Sequence, residues 1–282
     1  MRPYNRKNAN LNKSARQLDA IEKERSMRVY KADELLQKAR FTLSLNEQRL
    51  ILYAISKIKP TDTAFQEYIF DLKDFYAVCG MSGNDSYTKI KEQCKALSDK
   101  SWWLTVYDDK GEEWESVVRW FNTLRTNKKN GIVTIKFHED MFPYLLELSR
   151  QREEDEQRFY TGYEFRYVLP MKSTYSIRLY ELLKSYQKNN KTWWFKLDKL
   201  KHILDCEFYS RYADFRRFVI EPAIKEINDF SDLNIDYETE KDGKKIDVIE
   251  FFMSEKTKAD KINAHKNGLT ELDGNIHYWD KK

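Results

Sequence analysis

The sequence predicts an α+β fold made of two tandem winged-helix domains, each a helix-turn-helix followed by a β-hairpin, related by internal duplication. Three observations carry this. One order of elements (helix, short strand, helix, helix, hairpin) occurs twice along the chain. Apolar positions of the two copies coincide: Phe70-Asp71-Leu72 with Phe195-Lys196-Leu197, and Leu52-Tyr53 with Leu179-Tyr180. Ile90, Cys94, Leu97 and Ser101 also fall on Ile220, Ile224, Ile227 and Ser231 at one constant offset. Finally, each copy closes on strand-like runs joined by turns rich in Gly, Asn, Asp and Lys. The match of Val133, Ile135 and Phe137 to Asp247, Ile249 and Phe251 is weaker.

Met1 to Ser26 is rich in Asn, Lys and Arg and reads as a mostly disordered arm. A helix could start near Ser14, since Leu18, Ile21 and Arg25 have helical spacing, but the apolar stripe is thin. Firm structure starts at Leu43. Ser44 is the expected N-cap and Glu47 its capping-box partner. Leu45, Leu52, Ile55 and Ile58 follow at helical spacing, and the helix stops before Pro60. Tyr68–Leu72 is extended, and Lys73–Cys79 is a helix closed by Gly80. Asn84-Asp85-Ser86 opens a helix carrying Ile90, Cys94 and Leu97. Strands are expected at Trp102–Tyr107, Val117–Leu124 and Ile132–Phe137.

Gln151–Arg158 has no apolar side chain, so one core stops there and the connection offers a place for two domains to reorient. The second copy runs through a helix at Tyr175–Tyr186, an extended Trp193–Leu197, a helix Lys199–Leu204 capped by Asp198, and a longer helix from Tyr212. Pro222 is expected to kink or break that helix. Strands Leu233–Thr239 and Ile246–Phe252 are joined by a turn at Glu240–Lys245. These readings divide the chain into a basic, largely disordered arm (1–28), an N-terminal winged-helix domain (29–158), a C-terminal one (159–255) and a polar tail (256–282).

Composition narrows the function classes. A chain of 282 residues has the length of two domains. Charged residues make up 34% and the mean hydropathy is −0.80, and no window is apolar enough to span a membrane or to act as a secretory signal. Cys79, Cys94 and Cys206 are odd in number and far apart, which fits a reduced, cytoplasmic chain. The sequence has no P-loop and no Gly-x-Ser-x-Gly elbow, and His138, His202, His265 and His277 form no metal-ligand spacing. His202 and Cys206 share a helical face, where packing is the ordinary explanation. No catalytic residue, metal or cofactor is predicted.

The net charge of +4 is unevenly placed. Residues 1–40 hold 11 Lys and Arg against 5 Asp and Glu, the excess of a solvated tail or of an arm near an anionic polymer. From Arg119 to Lys136 there are cations at 119, 125, 128, 129 and 136 and no acid. The second hairpin turn carries Lys241, Lys244 and Lys245, and the long helix of that copy starts with Arg211, Arg216 and Arg217. A recognition helix reads the major groove with its first residues while the wing lies along phosphates. Cations at both places in both copies therefore point to double-stranded DNA. Trp102-Trp103 and Trp193-Trp194 each put one ring inward and one outward, as core plus covered surface or as a stacking platform.

Leu43–Leu52, Tyr175–Leu183 and Phe218–Asn228 (with Pro222) resemble, in order, the opening helices of the two domains and the second long helix of the iteron-binding plasmid replication initiators. The resemblance covers about residues 30–255. It implies binding to directly repeated origin sites (iterons), origin opening, host helicase loading and repression of the initiator's own gene by a dimer. The implied partners are origin DNA, a second copy of the chain, the host replication initiator and the replicative helicase, with no membrane. It further implies DNA contacts at Arg211, Tyr212, Arg216 and Arg217. Lys89 and Lys91 follow by pattern alone, and Arg125, Lys128, Lys129, Lys241, Lys244 and Lys245 join them as wing contacts. Val117–Leu124, Val118 and Phe121 above all, is the expected dimer surface. The rival readings are a winged-helix repressor without initiator role, a rolling-circle nicking enzyme, and a protein-interaction module.

Overall fold

A computed structural model describes residues 6–81, 86–107, 110–127, 129–155, 159–188 and 190–273. Its first elements are helix α1 (Arg6–Arg25), strand β1 (Arg28–Ala32) and helix α2 (Asp33–Lys38). Helix α3 (Leu45–Ile55) opens the first module with the expected cap: Ser44 N–H donates to Glu47 Oε2 at 2.7 Å, and Ser44 Oγ accepts from Glu47 N–H at 3.4 Å. Leu50 to Ile55 are all buried, so this helix is wrapped by its neighbours on every side.

Strand β2 (Tyr68–Asp71), helix α4 (Leu72–Val78) and helix α5 (Ser86–Ser98) complete the helix-turn-helix. The Asn84-Asp85 start expected for α5 lies outside the described residues. Four strands follow: β3 (Ser101–Tyr107), β4 (Glu113–Arg119), β5 (Phe121–Asn127) and β6 (Ile132–Phe137). The run Val117–Leu124 is therefore two strands, not one. The chain turns at Trp120, whose ring is buried 5.5 Å from that of Trp102. Burying that indole sends β4 to pair with β3 and β5 to pair with β6. Val133, Ile135 and Phe137 face the core as their alternation requires.

Short helices α6 (Phe142–Leu145) and α7 (Leu148–Glu154) lead to β7 (Tyr160–Glu164). Of the charge block, residues 151–154 close α7 and 156–158 lie outside the described residues. Strand β7 pairs antiparallel with β1 from Arg28↔Glu164 to Ala32↔Tyr160, tying the start of the first module to the entry of the second.

The second module holds α8 (Thr174–Gln187), β8 (Thr192–Lys196), α9 (Leu197–Ile203), α10 (Tyr212–Phe215), a π-helical turn (Arg216–Ile220), α11 (Glu221–Phe230), β9 (Leu233–Asp242) and β10 (Lys245–Glu255). The residue at the cap position of α9 is Lys196, and Asp198 sits inside its first turn. The duplication is visible in sheet topology. The two three-stranded sheets have the orders β2-β6-β5 and β8-β10-β9, in each case with the last strand of the wing hairpin in the middle. The β3–β4 hairpin is an insertion in the first copy.

Two sequence expectations fail at the chain's ends. Residues 6–25 are helical rather than disordered, and α1 lies against α4 with Ile21 packed on the core. Residues 258–273 are not a polar tail, because α12 (Lys258–Asp273) docks with Ala264, Gly268 and Leu269 buried; the rest of the expected tail, 274–282, lies outside the described residues. Small residues make that approach possible. A Cβ on Gly268 would stand 3.3 Å from Pro170 Cγ, and one on Gly80 (φ +63°) only 2.4 Å from the Leu272 carbonyl oxygen. Among the described residues no helix is long and apolar enough to cross a membrane.

The modules share a buried polar seam. Lys31 on β1 and Glu181 on α8 pair at 2.6 Å, both buried, and the Tyr163 hydroxyl donates to the same carboxylate. Burial drives the Lys31 ammonium pKa down, and Glu181 opposes that. Arg178 donates to the Ala39 carbonyl at 2.9 Å, and Arg49 to those of Leu169 and Met171 at 2.7 and 3.1 Å. Breaking such a seam strands buried charge, which makes it far costlier to open than to keep.

Candidate nucleic-acid interface

Pro222 shapes the second module's recognition helix. Proline offers no amide hydrogen and its ring presses on the carbonyl one turn back. The chain does not break there. It widens: the Glu221 N–H donates to the Arg216 carbonyl, five residues back, in a single π turn. Phe215 and Ile220 both remain buried across this turn, while Arg216, Arg217 and Phe218 are exposed in succession.

The three arginines of this helix differ. Arg211 Nε lies 3.7 Å from Asp214 Oδ2, and Arg216 Nε lies 2.7 Å from Glu221 Oε1. Arg217 pairs with no carboxylate among the described residues. Its guanidinium sits 5.2 Å from the Phe218 ring centroid. It is the cation of this helix whose bidentate donor edge is uncommitted. Tyr212 is half-buried, and burial together with Tyr237 pushes its hydroxyl up to about 12, so it faces the module as much as solvent.

The wing of this module is longer than expected. β9 reaches Asp242 and β10 starts at Lys245, leaving Gly243-Lys244 as a two-residue turn with Gly243 at φ +59°. Lys241 therefore sits in β9, opposite Ile246, and Lys244 and Lys245 at the tip, all three exposed. Glu240 and Asp242 alternate with them, so only the tip of this wing is basic, and mildly so.

In the first module the wing is β5–β6. Asn127 Oδ1 accepts from the amides of Lys129 (3.0 Å) and Asn130 (3.3 Å), and Gly131 takes φ +66°. This Asx-type turn holds Lys129 outward. Arg125 is exposed and 3.7 Å from Glu67. Lys128 lies outside the described residues. Arg119 belongs to β4 and Lys136 reaches toward Glu139, so the acid-free window is split between two hairpins and is not one wing. On α5 Lys91 is exposed, and the side chain of Lys89 is outside what is described.

Of the expected dimer run, Val117 is exposed but Val118 and Phe121, the residues singled out, are not on the surface. Val118 and Phe121 are 5% and 8% exposed and fill the first module's core, since the inward face of β3–β4 is the one that carries Val118. The tryptophan pairs split as alternation requires. Trp102 is buried and Trp103 is exposed; Trp193 stacks on Tyr186 at 4.0 Å and Trp194 is exposed. His202 bonds Glu207 at 2.8 Å, and burial pushes the Cys206 thiol up to about 12. Among the described residues no group of three or more His, Cys, Asp or Glu could hold a metal.

Sequence reasoning missed Phe208 and Phe218 as surface groups. They are 70% and 50% exposed beside the recognition helix. The available signal was Phe208-Tyr209 in a polar turn and Phe218 directly after two arginines.

Residues 28–184 match the family model described as initiator replication protein, WH1, and residues 196–253 that described as initiator Rep protein, WH2. Among solved structures, the Pi initiator protein in complex with iteron DNA has 19% identity and a TM-score of 0.64, over 83% of this chain and 99% of that one. The WH1 domain of MSBI1.176, a replication protein isolated from a multiple sclerosis patient, has 22% identity and a TM-score of 0.32, over 40% and 83%. Domains 2 and 3 of RctB have 10% identity and a TM-score of 0.45, over 78% and 86%.

Proposed function

The chain belongs to the initiator replication protein family, and from that premise we propose that it starts replication by binding repeated double-stranded sites (iterons) at an origin. The observation that carries this reading is the exposed, uncommitted Arg217 at the start of a recognition helix, in the second of two consecutive winged-helix modules. The likeness of fold to an initiator solved on iteron DNA supports it.

In this reading Arg211, Arg216 and Arg217 enter the major groove with Tyr212 at its rim. Lys241, Lys244 and Lys245 of one wing, and Arg125, Lys128 and Lys129 of the other, lie along phosphates. Lys89 and Lys91 serve the first module's helix. The chain works by binding and deforming DNA, with no covalent step. Its partners are a second copy of itself, docked through the outward face of β3–β4, the host replication initiator and the replicative helicase, all in the cytoplasm.

The test is binding of the full chain to duplexes carrying direct repeats of about 20 base pairs, two helical turns, against scrambled duplexes over a salt series. Preference for repeats, with log K falling about 0.9 per neutralised phosphate against log salt, is the expected result. Equal, salt-insensitive binding to both duplexes would reject the reading.

A further inference from the structure

Beside the recognition helix, three aromatic rings form a ledge. Phe208 and Tyr209 are 4.4 Å apart, Tyr209 and Phe218 lie near-parallel at 6.0 Å, and the Arg217 guanidinium covers Phe218. The ledge is held from below. The buried Lys201 ammonium donates to the Tyr209 carbonyl at 2.8 Å, and Tyr209 N–H to that of Cys206 at 3.1 Å. Half of Phe218 and most of Phe208 face solvent all the same, Phe218 on a turn whose other exposed residues are Arg216 and Arg217. Exposed rings in a fixed arrangement next to a free guanidinium mark a contact surface with both apolar and cationic demands.

The major groove has one matching feature. The base edges there display donors and acceptors, and the only apolar group among them is the 5-methyl of thymine. Stacking on a base face would need an opened duplex; a methyl contact needs none. Resting on the reading that this helix enters the major groove, we propose that Phe218, backed by Tyr209 and Phe208, packs on the 5-methyl of a thymine next to the base pair gripped by Arg217. The π turn set by Pro222 makes this possible by presenting residues 217 and 218 side by side on the outer face. Phe218 is then a specificity-determining residue, and its ligand is one methyl group.

The experiment uses the full chain and a duplex it selects from a randomised pool. Each thymine is replaced singly by deoxyuridine, which removes only the methyl. The wild type is expected to lose about fourfold in affinity at one thymine, the effect of burying one methyl-sized group. That thymine should neighbour the base pair whose choice Arg217→Ala relaxes. Phe218→Ala should bind the thymine and uracil duplexes equally, and Phe218→Leu, still apolar, should keep part of the discrimination. A wild type that selects a sequence but is indifferent to uracil everywhere overturns the proposal alone. So does Phe218→Ala that loses as much on uracil as the wild type does. A wild type that selects no sequence overturns the DNA reading and this contact together.

Discussion

Arg25 and Asp273, near opposite ends of the chain, meet in a two-pronged ion pair, with Nη1 and Nη2 each 2.8 Å from one carboxylate oxygen. Arg25 is buried and also donates to the carbonyls of Val78 and Ala77 at the end of α4. One side chain thus fastens α1 and α12 to the first module's helix-turn-helix. Asp273→Asn removes the charge and leaves the guanidinium with Glu22 and two carbonyls. The expected loss is about 1–3 kcal/mol in denaturant unfolding. That is less than the roughly 3–5 kcal/mol for breaking a fully buried pair, because Asp273 keeps contact with solvent. An unchanged midpoint would show that the clasp adds nothing to stability.

The same clasp is expected to loosen in acid. His265 on α12 has Nε2 3.3 Å from Arg166 Nη1 and 3.5 Å from Glu22 Oε2. Burial and the Arg166 cation hold the imidazole below its usual 6.5, against the pull of Glu22 and Glu164. The unfolded chain therefore takes up the proton first as pH falls. Stability from the neutral ring is complete above 6.5 and is lost as pH drops through the folded value. Amide exchange in α12 should accelerate below about pH 6.5 relative to α8, and His265→Gln should flatten that dependence. A His265→Gln chain with the wild-type profile would assign the effect to another group.

How legible these features were depended on how local their causes are. The Ser44–Glu47 capping box spans four residues, and the inward Val133, Ile135 and Phe137 need only alternation, so both were plain in the sequence. The order of the modules survived for the same reason. Trp120 was not legible as a corner, because periodicity says that residues are extended and not which sheet they join. Helix α12 was missed and α1 showed only as a thin stripe after Ser14, because a single arginine and small residues such as Gly268 and Ala264 dock them, against partners far away in sequence. Pro222 was expected to kink or break the helix, and the chain answers with a widened turn and no break. That turn, and the reach of Glu221 to Arg216, separate Arg217 from its neighbours; the composition of the helix could not.

Arg217 and Arg216 should therefore behave differently on DNA. Arg217→Ala is expected to cost about 1–3 kcal/mol on a selected repeat and to relax the choice at one base pair. Arg216→Ala should cost less, because Glu221 already engages that guanidinium. Fluorescence anisotropy on cognate and random duplexes distinguishes the roles. Equal loss from Arg217→Ala on both would make it a phosphate contact.

The wings should contribute to affinity without contributing to sequence choice. Lys129 and Lys244 stand exposed at the two hairpin turns. Changing both to Ala should reduce the slope of log K against log salt by about two, alike on cognate and random DNA. A slope that does not move would take both wings out of the interface.

Self-association should follow which face of one hairpin a side chain occupies. Val117 lies opposite Trp103 on the outward face of β3–β4, at 50% and 54% exposure, while adjacent Val118 and Trp102 point into the core. The apolar pair sits on an insertion that the second module lacks, so the first module's own winged helix does not require it. A charge there should be tolerated by the fold and opposed by a partner. Val117→Lys is expected to leave circular dichroism unchanged and to shift sedimentation to the monomer. Val118→Asp buries a carboxylate without a partner and is expected to unfold the module, at a cost of several kcal/mol. A folded Val117→Lys chain that still dimerises would place the interface on another face, and a wild type that sediments as a monomer at every concentration would remove self-association from the proposed function.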